Sequence, residues 1–298
     1  MPIALLLAAV LRHTDPDTTI HIARGSSIEI NSASNAVVVH VGTGDVVTVH
    51  GASSDVNGHT LEIGSPRGHG RNRHADDSDE GTINVTVPAW VELEVSAVEG
   101  DLTFDGAPAH LKGETVNGNI KLTGGSGTAE LTTVNGTITV TDFRGTALSL
   151  NSTNDDINVT GATGTIDVDD VSGNIALRDI RSSNASANTI TGNVLFDGPL
   201  AADGNYDFES HNGDVTLYVA ADVSARMKVT TFNGMFNSAD IPGTTLGGRA
   251  PATGKNHHDA DQEQDLTVTY GRGDAHVTVD SFNGDVTVKR GPAPRPRH

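Results

Sequence analysis

The sequence predicts an all-β protein: a parallel β-solenoid of about nine or ten coils, with a capping N-terminal β region. Three observations predict it. A box of strand–corner–strand character recurs along the chain at a spacing of about 18 residues. The corners of the boxes carry Asn-Gly or a close substitute. The 298-residue composition is poor in aromatics, at 4%, yet contains 34 glycines. Abundant Val, Ile, Thr and Asn on such a background favour many short strands joined by tight turns.

The boxes align on their corners. They read LEVSAVEGDLTF, LKGETVNGNIKL, AELTTVNGTITV, LSLNSTNDDINV, IDVDDVSGNIAL, ASANTITGNVLF, YDFESHNGDVTL, MKVTTFNGMFNS and VTVDSFNGDVTV. The corner positions are Gly100, Gly118, Gly136, Asp155, Gly173, Gly192, Gly213, Gly234 and Gly284. Successive spacings are 18, 18, 19, 18, 19, 21, 21 and 50, so an insertion must fill the last gap. A weaker early copy, IEINSASNAVVV, places Asn35 at its corner.

Apolar residues stand two and four positions after every corner but Gly234, as at Ile120 and Leu122 or Ile138 and Val140. Val98, Val116, Val134, Val171, Ile190, Phe232 and Phe282 stand two positions before it. Polar residues intervene, so the alternation has period 2 on both sides of the bend. This reading sends the columns on both sides of the corner inward. Glycine at the corner tolerates positive φ, and Asn or Asp is its usual substitute there. Stacking each box on the next explains the even spacing better than isolated hairpins. It would place Asn117 on Asn135 as part of an amide ladder.

Residues 1–17 hold the short apolar run Ile3–Leu11. It reads either as the remnant of a signal peptide without a basic n-region, or as a plain N-terminal segment. No other segment could cross a membrane. Residues 18–92 read as irregularly spaced strands that cap the rod, interrupted by the polar loop 65–81. Residues 93–290 form the solenoid, with an insertion at 238–265. A hairpin turning at Gly271–Asp274 leads into the last box. Residues 291–298, GPAPRPRH, form a polar tail.

These boxes, with TVPAWVELEVSAVEGDL and TTFNGMFNS, resemble a bacterial family of candidate adhesins. Its members are built from β-strand repeats of unknown function. The resemblance runs over about residues 28–290. It implies a right-handed β-helix-like fold and an exported protein, periplasmic or on the cell surface. It brings no catalytic, cofactor-binding or metal-binding residues with it.

Charge and motifs bound the chemistry. The net charge of −19 repels phosphate backbones and anionic lipid, which argues against nucleic acid as a partner and against direct membrane docking. There is no cysteine, so disulfides, thiolate metal sites and a cysteine nucleophile are excluded. Asp167, Asp169 and Asp170 form the densest acid cluster, but Asp167 and Asp169 share a solvated face and carry no calcium-loop signature. In the column after the corner, this reading places no two acidic residues in neighbouring coils, so no calcium ladder is expected there.

His69 with His74, and His257 with His258, sit in loops without ligand-like spacing. His211 lies in the column taken to face the core, where it reads as a structural histidine. Arg178, Asp179 and Arg181 are the best candidates for a reactive set, and surface pairing accounts for them. GTGDVVTV at 42–49 lacks the Lys and Ser/Thr of a phosphate loop.

The function expected is a non-enzymatic structural or adhesive envelope rod that shows a polar surface to a protein or glycan partner. No cofactor is called for. The competing expectations are a sensory binding module in envelope stress and a carbohydrate-active enzyme on a β-helix.

Overall fold

The computed structural model describes residues 17–64, 81–238, 241, 243–246 and 264–293. His69, His74, His257, His258, the apolar run Ile3–Leu11 and most of the tail lie outside them. Among the described residues, all regular elements are β-strands, arranged in one sheet of 13 and one of 14. No helix among them is long and apolar enough to cross a membrane.

The two sheets are the two walls of a solenoid. His110–Asn117 lies in one sheet, turns at Gly118, and continues as Ile120–Thr123 in the other. The next copy, Thr128–Asn135 with Ile138–Thr141, stacks on it in parallel and in register. Leu111 meets Ala129, and Ile120 meets Ile138. Seven such coils follow one another in chain order from Glu92 to Val219.

Two coils at each end complete the stack out of chain order. The coil Ser27–Ser32 and Val37–Gly42 is inserted between Thr60–Gly64 with Ile83–Pro88 and Glu92–Glu99 with Leu102–Asp105. At the far end, Ala275–Asn283 with Val286–Arg290 is inserted between Asn205–Asn212 with Val215–Val219 and Ala225–Thr231 with Phe236–Asn237. The rod thus has eleven coils among the described residues, about 48 Å end to end at 4.8 Å per step.

Antiparallel pairing adds strands at three of the four sheet ends among the described residues. Val46–His50, Ser53–Asn57 and Gln264–Tyr270 run against the coils, whereas Asp17–His21 and Thr244–Leu246 pair antiparallel with two of these and so run with the coils. Asp17–His21 and Val46–His50 cover one sheet, while Ser53–Asn57 covers the other. Gln264–Tyr270 and Thr244–Leu246 cover the far end of the longer sheet. The outermost strands among the described residues, Asp17–His21 and Phe236–Asn237 in one sheet and Ser53–Asn57 and Thr244–Leu246 in the other, are short, which limits the edge on which another chain could add. The segment around Gly271–Asp274 is not a hairpin. Gln264–Tyr270 and Ala275–Asn283 both pair with Ala225–Thr231, which lies between them. The turn bridges two strands that do not touch, because the final box takes a place inside the stack.

Columns of like residues fill the interior. Phe104, Leu122, Val140, Val159, Leu177, Phe196, Leu217 and Val288 are buried one above the next. Large and small residues compensate across the core. Phe104 reaches over Gly113, where a Cβ would lie 3.1 Å from the ring. Phe196 packs against Phe208 and Tyr206 at 5.0 and 5.8 Å, beside Ala185 and Ala187.

The corner glycines have a different cause from the one the sequence suggests. Only Gly100, Gly136 and Gly192 among them have positive φ. What they share is contact with the coil below. A Cβ on Gly118 would overlap the carbonyl oxygen of Gly100, and one on Gly136 that of Gly118. Gly192, Gly213, Gly284 and Gly234 repeat the relation, each on the corner beneath it. Asp155 is the one corner of the regular boxes without glycine, and its carbonyl still lies under the next corner, 2.7 Å from where a Cβ on Gly173 would stand.

Replacing Gly118 by Ala therefore forces a backbone shift in two coils at once. We expect a loss of about 2–3 kcal/mol in urea-induced unfolding followed by circular dichroism. An unchanged midpoint would contradict the close-approach account.

Candidate interaction surface

Each corner is a set of parallel ladders, and each ladder has a distinct task. Three residues before the corner, the side chain points inward and is almost always Ser or Thr. Ser32, Thr115, Thr133, Ser152, Thr189, Ser210, Thr231 and Ser281 are all buried there. Their hydroxyls donate to corner carbonyls. Thr133 donates to Gly118 O at 3.2 Å, Ser210 to Gly192 O at 2.8 Å and Ser281 to Gly284 O at 3.0 Å. These bonds satisfy carbonyls that the bend turns away from the sheets.

One residue before the corner, the amides stack as the spacing predicts. Asn135 donates to Asn117 Oδ1 at 2.8 Å and Asn154 to Asn135 Oδ1 at 2.7 Å. Asn283 donates to Asn212, and Asn233 to Asn283, each at 2.8 Å.

One residue after the corner, the side-chain oxygen accepts the backbone N–H of the next coil. The Asn119 N–H donates to Asp101 Oδ1 at 2.7 Å, Asn193 N–H to Asn174 Oδ1 at 3.0 Å and Asp214 N–H to Asn193 Oδ1 at 2.8 Å. The ladder ends at Met235, whose N–H donates to Asp285 Oδ1 at 2.9 Å. Asp214 and Asp285 do occupy neighbouring coils, and Asp285 N–H donates to Asp214 Oδ1 at 2.8 Å. Chain order hides this adjacency, because the last box enters the stack before its predecessor. Each such oxygen is engaged in holding the rod together.

The column two residues before the corner is outside. Val98 is 55% exposed, Ile190 53% and Phe282 42%, with Val116, Val134 and Val171 close to the last value. His211 is exposed in the same column. Its ring stacks on Phe282 at 4.7 Å, and Phe282 stacks on Phe232 at 4.8 Å. The inward reading of this column fails because four residues, an even number, separate the inward positions Thr115 and Ile120, so the alternation changes phase at the bend. Alternation from Leu111 and Gly113 leads to Thr115 inside and Val116 outside. Polarity hid the inward Thr and Ser, although the phase of the preceding apolar pair was readable.

A family model matches residues 25–289, and its description is Toastrack DUF4097. The chain belongs to the Toastrack DUF4097 family. No curated protein sequence matches it. Among solved structures, a candidate cell adhesion protein of Clostridium sporogenes is 10% identical over 92% of this chain and 99% of its own, with a TM-score of 0.24. A candidate adhesin of Bacteroides fragilis is 12% identical over 92% and 96%, with a TM-score of 0.44. A candidate lipid-binding protein of Parabacteroides distasonis is 12% identical over 93% and 98%, with a TM-score of 0.41. Likeness at this level transfers no property to this chain.

The remaining sequence candidates are placed on the outside of this Toastrack rod. Asp167 and Asp169 face solvent, and Asp169 accepts a bond from Asn188 at 2.9 Å. No group of three His, Asp or Glu among the described residues is arranged to hold a metal. Arg178 and Asp179 line a shallow open groove with Asp197, Tyr218 and Ala293. Arg181 pairs with Asp179 at 3.5 Å, and Asp197 accepts the Ala293 N–H at 2.9 Å. Lys289 lies over the Tyr218 ring at 5.7 Å.

Asp170 is the anomaly of the Toastrack corners. It stands in the column of buried hydroxyls, where an ionised carboxylate has no proton to donate. Oδ1 accepts the Ser172 N–H at 3.3 Å, while Oδ2 is enclosed without a hydrogen-bond partner. Burial raises its pKa above the usual carboxylate range. Asp156 and Asp155 add to the rise, and the N–H groups of Val171 and Ser172 oppose it. A carboxyl whose pKa is higher folded than unfolded favours the folded state while it is protonated. That stability is lost as pH rises from the ordinary carboxylate range through the raised value. Asp170→Thr should remove this pH dependence and raise stability at pH 7–8 by about 1–2 kcal/mol, because a hydroxyl can donate to a corner carbonyl. Thermal unfolding from pH 4 to 8 checks it; parallel curves for the two proteins would contradict it.

Proposed function

We propose that this Toastrack chain is a non-enzymatic binding or adhesive rod of the bacterial envelope, exported to the periplasm or the cell surface. The observation that carries this reading is the outer surface itself. It offers rows of mostly similar side chains, repeated at the coil spacing over nine coils, about 38 Å. The Asn and Asp residues most suggestive of chemistry are engaged in ladders between coils. A surface of this kind suits a long repetitive partner, a glycan or an extended protein, more than a small substrate held at one point.

Fractionation of cells and binding of the purified chain to a glycan array and to envelope fractions test it. We expect an envelope location and retention on one such material. A purely cytoplasmic location with no retention would remove the proposal.

One observation supports a second reading. The groove at Arg178 joins a base, two carboxylates and a tyrosine, the kinds of group a carbohydrate-active site uses. Turnover of a polysaccharide panel that disappears in Asp179→Asn would establish an enzyme. No turnover by the wild-type chain would remove this reading.

A further inference from the structure

The exposed column two residues before the corners is a surface without an assigned task. Val98, Val116, Val134, Val171, Ile190 and Phe282 are exposed in one column of the stack, interrupted by Thr153 and His211. Single exposed apolar residues are ordinary on a protein surface; a row of them along one line is not. The fold does not require it. Thr153 occupies the same column in the coil of Asp155, and its half-buried side chain is accommodated without loss of the coil. The row is about 38 Å long over its nine coils, from Val98 to Phe232.

Acid borders it on both sides. On the same face, two residues earlier in each strand, the column contains Asp169, Glu209 and Asp280, with Glu114 paired to Lys112 at 2.9 Å. Around the bend, the column after the corner contains Asp101, Asp156, Asp214 and Asp285. Neither column, nor the amide ladder between them, contains a Lys or Arg in these nine coils. We propose that this row is the docking surface for a basic amphipathic polypeptide segment, with an apolar ridge on the valines and Lys or Arg along both edges. A helix of about 25 residues would cover its length at 1.5 Å per residue. A second copy of this chain fits poorly, because it would lay acidic columns on acidic columns in a protein of net charge −19. An anionic lipid surface meets the same repulsion.

This inference rests on the reading of the rod as a binding scaffold and names the face and the partner class. Its test uses the full chain and a fluorescein-labelled 24-residue peptide of leucine and lysine, patterned as a helix with one apolar face. Fluorescence anisotropy is read at low and high salt. We expect binding that weakens with salt. It should weaken at least tenfold in the triple variant Val116→Thr, Val134→Thr, Val171→Thr, which keeps β-branching and the strand preference. The triple variant Asp169→Asn, Glu209→Gln, Asp280→Asn should weaken it and flatten the salt dependence. Circular dichroism should show both variants folded.

Equal binding by the threonine variant, or by a peptide of the same composition with its leucines scrambled, would overturn the proposal, because charge alone would then account for it. Absence of binding would also overturn it, and so would a wild-type dimer in sedimentation that the threonine variant disperses. The broader scaffold reading would survive any of these, since retention of the whole chain on envelope material decides that one.

Discussion

The main-chain hydrogen bonds between coils are the constraint on which the rest of the structure depends. They fix one spacing for every column, inside and out, over the whole length. Once a step of about 4.8 Å is imposed, each side chain has its own counterpart as its nearest neighbour. Only residues that tolerate themselves can then occupy a column. Val and Ile satisfy this inside, Asn and Asp at the bend, and Gly where two corners come into contact. Repetition in the sequence is the direct imprint of that rule.

The same rule decides how much could be read without coordinates. The columns after the corner, such as Ile120 and Leu122, were legible because they are apolar, alternate strictly and are buried. The column before it was misleading. Val116 and Ile190 look like core residues, while the true inward residues beside them are Thr115 and Thr189. The bend demands hydroxyl donors inside and leaves the valines outside, so hydrophobicity and burial part company over two residues. The corner glycines were recognised, but their cause was steric contact with the carbonyl beneath, a property of two coils together that no single box contains.

The order of the end coils was illegible for a related reason. The box around Gly284 and the box around Gly234 are so alike that either can stack on the one around Gly213. The 50-residue gap signals an insertion but says nothing of which copy comes first. Adjacency of Asp214 with Asp285, and the stacked run from His211 through Phe282 to the half-buried Phe232, follow only from the observed order. Much of the candidate surface was therefore present in the sequence as residues and absent from it as neighbours.

The inserted end coils also determine how the rod bears force. Neither Ser27–Ser32 nor Ala275–Asn283 lies at a tip; each is held between two parallel strands. A pull from the C-terminal side reaches Val286–Arg290, which is held by Val215–Val219 on one side and Phe236–Asn237 on the other, so two ladders must yield together. A pull from the N-terminal side meets Asp17–His21 first, an edge strand with one neighbour, which can leave without disturbing the coils. The two ends of the rod therefore resist pulling unequally.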